Sequence, residues 1–298
     1  MHTSRAVGQR HGTTGRGSHT EPVWVRYLLI SIAVCIMSVL VIIPVASVFY
    51  QALANGLGTY REQLLGDADT RHAIWLTFCV VPPAVLANTV FGVAVAWAVT
   101  RFRFPGRTLL ISIIDLPFAV SPVVAGLMIM LLFGRQGLWG PWLGAHGMQV
   151  VFAYPGLVLA TTFVTLPFVA RELIPVMEAL GSDEEVAAVS LGANGFQLFW
   201  RITLPNISLG LLYGIILCNA RAMGEFGAVH VVSGHIAGKT DTMPLRIEKL
   251  FQEYNMPGSF AVASVLTLLA LVTLGIKTLL EHQNAKLLAA SADEQVEA

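Results

Sequence analysis

Charge is what this sequence has least of. Only 12% of its 298 residues are Asp, Glu, Lys or Arg, against 55% hydrophobic, and the mean hydropathy is +0.69. Ordinary soluble domains carry about 25% charged residues, so a polytopic membrane protein is expected. The 18 basic and 18 acidic side chains cancel, which leaves no basic surface for nucleic acid. Cysteine is also scarce. Cys35, Cys79 and Cys218 fall in separate apolar runs, without the close spacing of a redox or metal motif, and read as small core hydrophobes. No paired carboxylates, Ser-His-Asp arrangement or Gly-rich cofactor loop occurs in a context that supports chemistry. The stretch "GHIAGKT", Gly234–Thr240, has one residue fewer between its glycines than a phosphate-binding loop requires. His72, His146, His230 and His235 are scattered, and the i, i+5 spacing of the last two is poor for joint ligation on one helix. No catalytic residue, metal or bound cofactor is therefore expected.

What is abundant is long apolar sequence. A helix needs about 20 apolar residues to cross the bilayer core. Six runs qualify, roughly Tyr27–Tyr50, Ala73–Val99, Leu109–Phe133, Val151–Val169, Ile207–Val232 and Phe260–Leu280. The expected fold is all-α with six transmembrane helices. The first run is too long for a signal-peptide core and no clean cleavage site follows it, so it reads as a retained span. Residues 1–22, rich in Gly, Ser, Thr, His and Arg, read as a disordered tail. Residues 23–282 form the transmembrane domain and 283–298 a second tail. Orientation follows from Lys and Arg in the connections. The side shared by both termini holds eleven of them, the other side six, which puts both termini and the 171–205 loop in the cytoplasm.

Helix breakers punctuate these runs. Pro82 and Pro83 interrupt the second, Pro117 and Pro122 the third, and Pro155 and Pro167 bracket the fourth. Backbone groups freed by proline inside a bilayer must be satisfied by neighbouring helices or a wet cavity, which favours a packed bundle with a pathway. Gly210 and Gly214 form a G-x-x-x-G pair suited to close helix packing. Arg221 and Glu225 stand at i, i+4 in the fifth run. A charge at mid-membrane facing lipid costs about 2.5–3.5 kcal/mol, so both are expected to face the interior. Two readings stay open, an Arg–Glu pair that locks the bundle and an Arg221 that lines an anion path. Asp115 is read either as a partner for Arg221 or as a cap after the break in the third run. Ser121 and Ser233 offer hydroxyls to an anion or to their own backbone.

One stretch departs from the hydrocarbon pattern. "EEVAAVSLGANGFQLFWRITLP", Glu184–Pro205, is semi-polar and helix-forming, yet lies between two apolar runs. On a helical wheel Val186, Val189 and Ala193 share one stripe, and Ala187, Ala188 and Leu191 another. Two small-residue faces suggest a short helix held between its own bundle and something else. Gly192 and Gly195 allow positive φ or close backbone contact. Phe196, Phe199 and Trp200 then recur at i, i+3, i+4, a second apolar face.

Ala187-Ala188, Gly192 and Ile202-Thr203-Leu204-Pro205 resemble the EAA loop of ABC-importer permeases. The family's Glu would fall at Val186; this chain carries Glu185 one place earlier. "IDLPFAVSPVVAGL", "TRFRFPGR", "TLPFVARELIPVM" and "NARAMGEFGAVHVVSG" are similar to the sulfate/thiosulfate branch of that family, CysW type. The resemblance implies a type I (MetI-like) permease fold and a subunit without its own ATPase site. It implies three kinds of partner: a CysT-like sister permease, two copies of a cytoplasmic ABC ATPase that uses ATP and Mg, and an extracytoplasmic sulfate/thiosulfate-binding protein. It also makes Glu185, Ala187, Ala188, Gly192, Ile202, Leu204 and Pro205 the ATPase-coupling segment. A molybdate or tungstate permease of the same family, a self-contained anion transporter and a haem-bearing membrane anchor are the competing readings.

Overall fold

The computed structural model describes residues 23–297, with side chains for 24–282. The tail at 1–22 lies outside the described residues. The chain divides into two compact units, Met1–Ser47 and Val48–Ala298. Of the first, the described part is helix α1 (Val23–Met37) running through a π-turn at Ser38–Ile42. This apolar run continues without a break as α2 (Ile43–Leu53), giving one span over Trp24–Leu53.

The second unit is helical throughout its described residues: α3 (Gly56–Leu65), α4 (Ala68–Arg101), α5 (Arg107–Ala119), α6 (Pro122–Phe133), α7 (Gly140–Ala145), α8 (Tyr154–Leu180), α9 (Asp183–Ser190), α10 (Gly195–Leu198), α11 (Leu204–Met223), α12 (Gly227–Ser233), α13 (Met243–Gln252) and α14 (Met256–Glu297). Among the described residues five segments are long and apolar enough to cross a membrane, and six if the bent pair α5–α6 is counted as one span. On that count the number matches the six expected, with different ends. The third is broken by 109° at Val120–Ser121, where Pro122 at the first turn of α6 cannot continue α5. The fifth stops at Met223 rather than Val232, and α12 is a separate short helix. The fourth runs on to Leu180, so residues 171–180, expected in the loop, belong to the span.

Pro82 and Pro83 do not interrupt α4, which is continuous over 34 residues. Pro83 leaves the Cys79 carbonyl without its helical donor, and the Tyr154 hydroxyl supplies one at 2.8 Å. Helix α8 is the hub of the unit, packed on α4, α5, α6, α11 and α12. Glycine permits its closest approach: a Cβ on Gly92 of α4 would stand 2.7 Å from Val169, and one on Gly214 of α11 3.2 Å from the Val169 backbone. Gly210 meets Val176 in the same way, so the G-x-x-x-G pair faces α8. Between these helices Asn88 is fully buried, donating to Thr165 at 2.7 Å and to the Cys218 sulfur at 3.6 Å. All three cysteines are free thiols; Cys218 sits in the core and Cys79 is half-buried, whereas Cys35, expected in a core, is exposed.

Candidate functional site

Three sets of polar residues stand out against this apolar frame. The first surrounds α9. Its opening turn carries Asp183, Glu184 and Glu185, acidic residues that suit the positive end of a helix. Glu185 turns inward. Arg101, the last residue of α4, donates Nε and a terminal nitrogen to its two carboxylate oxygens at 2.7 and 3.2 Å, and the Thr203 hydroxyl adds a bond at 2.9 Å. Arg101 also donates to the Met177 carbonyl of α8 at 3.2 Å. Each partner of this bidentate pair is only 13% exposed. One carboxylate therefore ties α9 to the ends of α4, α8 and the span beginning at α10. Glu184 bonds Asn206 beside it.

The stop signal after α9 is equally specific. Gly192 has φ +90; its N–H bonds to Val189 and that of Ala193 to Ala188. This is the Schellman arrangement, in which the residue after the C-cap takes a left-handed backbone. Asn194 then opens α10 with a reciprocal capping box to Gln197. "GANG" is thus a helix stop followed at once by a helix start. Gly195 has no positive φ and open space around it. Through a π-turn at Phe199–Thr203, α10 runs into α11 as one segment, Gly195–Met223; Ile202 and Leu204 are half-buried in it and Pro205 is exposed in its first turn.

The wheel prediction of two opposed apolar stripes needs correction. The inward face is Glu185 with Ala188; Val186, Ala187, Val189 and Leu191 all lie outward, with Leu191 90% exposed. Phe196 and Trp200 join that outward patch, whereas Phe199 turns in to stack on Trp97 at 5.2 Å. The shift of the acid from 186 to 185 leaves the carboxylate on the bundle side and a valine outside.

The second set is Arg221 and Glu225, which pair at 2.7 Å. The Glu225 side chain is 1% exposed and Arg221 36%. Glu225 Oε1 also accepts the Ala228 N–H at 3.0 Å, capping α12. Among the described residues its Oε2 has no partner other than the Arg221 guanidinium. A Cβ on Gly227 would stand 2.8 Å from Pro122, so the break before α12 adjoins the break between α5 and α6, where Ser121 is exposed. Asp115 does not partner Arg221. It pairs with Arg171 of α8 at 2.7 Å, and Arg171 also lies over the Phe118 ring. Ser233 is buried, its hydroxyl contacting its own turn.

The third set was not foreseen. Asp67, the N-cap of α4, accepts from the Asp69 and Thr70 amides, from the Thr70 hydroxyl at 2.6 Å and from Arg246 of α13 at 2.5 Å. Burial alone would raise its pKa, but the Thr70 and Arg246 hydrogen bonds and the Arg246 charge outweigh it and hold the carboxyl below its ordinary value. Asp-x-x-Thr as an N-cap pattern was legible; the arginine nearly 180 residues away was not. Nothing local in the sequence marks Arg101 as the partner of Glu185 either.

Residues 88–286 match the family of binding-protein-dependent transport system inner membrane components, and the chain belongs to that family as a multi-pass inner-membrane protein. It is 52% identical over 258 residues to the sulfate transport system permease protein CysW of Escherichia coli K12, covering 87% of this chain and 88% of that one. It is 51% identical to the CysW protein of Synechocystis over 87% of this chain and 94% of that one. It is 37% identical to the CysT protein of Escherichia coli K12, over 79% of this chain and 84% of that one. The fold matches a crystal structure of a bacterial ABC transporter that imports alginate, with TM-score 0.71 and 16% identity over 88% of this chain and 96% of that one.

Proposed function

We propose that the chain is one of two membrane subunits of an ATP-driven importer for sulfate and thiosulfate. The observation that carries this is the similarity to sulfate permeases along most of the sequence, which spans both α9 and the Arg221 segment. A CysT-like sister subunit, a binding protein and two ATPase copies complete the assembly, and ATP and Mg²⁺ belong to the ATPase. Both termini and α9 face the cytoplasm, in keeping with the Lys/Arg asymmetry.

In this reading α9 is the coupling helix. Its outward Val186 and Val189, with Leu191 just after it and Phe196 of α10, fill a groove on the ATPase. Its inward Glu185 carries the resulting displacement to α4 through Arg101 and to the fifth span through Thr203. The ion pair at Arg221 adds a second element. The guanidinium is partly exposed and can turn toward a dianion, while the buried Glu225 keeps it in the bundle when none is there.

Co-purification with identification of the bound chains, followed by ATP-driven uptake of labelled sulfate in vesicles, tests the proposal. Retention of an ATPase and uptake that requires it are expected; anion transport by the chain alone would refute it. For orientation, single cysteines at the exposed positions Gly106, Asn194 and Gly144, on a cysteine-free background, meet an impermeant thiol reagent in intact cells. Only Gly144→Cys should react, and labelling at Asn194→Cys would overturn the topology.

A further inference from the structure

We propose that His230, His235 and Glu248 form a binding site for a divalent transition-metal ion of zinc type. The i, i+5 spacing argues against joint ligation only on a continuous helix, and α12 ends at Ser233. Gly234 and His235 both take left-handed backbones, at φ +67 and +54, and fold the chain back on the helix it has just left. The His235 amide bonds to the Ser233 hydroxyl at 3.3 Å in that reversal. The two imidazoles then meet edge to face, with centroids 4.3 Å apart. Glu248 comes from a different element, α13, and its Oε2 lies 3.5 Å from His230 Nε2.

One ligand atom from each of the three side chains lies within 4.8 Å of the other two. A tetrahedral zinc ion with bonds of about 2.0–2.1 Å has ligand–ligand edges of about 3.3 Å. The His230–Glu248 edge is already near that length, and modest side-chain rotation closes the others. The carboxylate is oriented for the purpose: Gln252 donates to its other oxygen, Oε1, at 2.9 Å, the outer-shell contact that fixes a metal-binding carboxylate. Phe226 packs against the His230 ring at 5.1 Å. Two nitrogens and one oxygen suit zinc, nickel or copper rather than magnesium or calcium, and three protein ligands leave a fourth position for water or another group. A bound ion would join α12 to α13, and so restrain the short helix that Glu225 caps.

The test uses the full chain, purified with a histidine-free tag, stripped with chelator and titrated with Co²⁺ as a spectroscopic probe. Visible ligand-field bands of a four-coordinate ion are expected, lost on addition of one equivalent of Zn²⁺. His230→Ala, His235→Ala and Glu248→Gln should each weaken Co²⁺ and Zn²⁺ binding at least tenfold, while His146→Ala leaves it unchanged. His235→Cys guards against variants that merely misfold, since it should keep the site and add a thiolate-to-cobalt charge-transfer band. Zn²⁺ should also raise the melting temperature of the wild type and not of His235→Ala. Absence of cobalt bands in the wild type, or full binding in all three variants, overturns the proposal. Both results are independent of whether the chain carries sulfate.

Discussion

Removing the Glu185 carboxylate should loosen α9 from the bundle without affecting the spans. In Glu185→Ala, Arg101 loses both of its bonds to the carboxylate and keeps one to the Met177 carbonyl, while the Thr203 hydroxyl loses its acceptor. Hydrogen bonds to a charged group contribute about 1.5–3 kcal/mol. Breaking a fully buried pair costs about 3–5 kcal/mol, and an exposed one about 0.2–1 kcal/mol. At 13% exposure on each side the loss lies between these limits, about 2–3 kcal/mol, and it falls on local opening of α9 because the helix has no buried residue of its own. Every 1.4 kcal/mol is tenfold, so amide exchange across residues 187–191 should accelerate roughly 30- to 140-fold, with α4 and α8 unchanged. Glu185→Gln keeps an acceptor for Thr203 and should fall between. In vesicles, ATPase retention and sulfate uptake should drop together. The double change Arg101→Ala with Glu185→Ala should cost less than the sum of the two singles, since each single leaves its partner's charge unpaired and the double leaves none. Wild-type exchange in Glu185→Ala, or strict additivity in the cycle, would refute the clamp.

Other outcomes follow from the same geometry. A Cβ at Gly192 meets nothing within 4 Å, so the strain there is one of backbone alone; Gly192→Ala and Gly192→Val should weaken ATPase co-purification comparably, by about 1–2 kcal/mol, with Gly192→Asn milder, and a loss that grows with side-chain size would point to a clash instead. For Arg221 and Glu225, each neutral single variant should lower the yield of assembled protein, Arg221→Gln more because it leaves the buried Glu225 carboxylate unpaired, and the double variant should recover assembly but not uptake; recovery of both would remove Arg221 from the anion path. Asp67 has a folded pKa below its ordinary 3.8, so its stabilising contribution is fully present above that value and is lost as pH falls through the lower folded value. Asp67→Asn should therefore weaken docking of α13 at neutral pH and flatten the acid limb of a stability–pH profile, and an unchanged acid limb would sink that linkage.

The sequence alone determined where chain meets lipid and where local structure stops and starts. Apolar run length fixes how many times the chain can cross, because no backbone may cross unsatisfied. Gly192 and the Asn194–Gln197 box are likewise local devices, acting within a few residues. Proline is less decisive. Pro122 breaks the third span, yet Pro83 leaves α4 unbroken because Tyr154, distant in sequence, reaches the freed carbonyl. Charge pairing was legible only at i, i+4, as for Arg221 and Glu225. Asp115 could have faced Arg221 or Arg171, and Glu185 any of several arginines; only the packing of α5, α8 and α4 chose between them. The same holds for His230 and His235, since whether two residues five apart diverge or converge depends on where the helix ends and on the αL turn at Gly234. Local rules act over bonds that sequence specifies, whereas long-range partners are selected by close-packed helix contacts, which depend on every side chain in the interface at once.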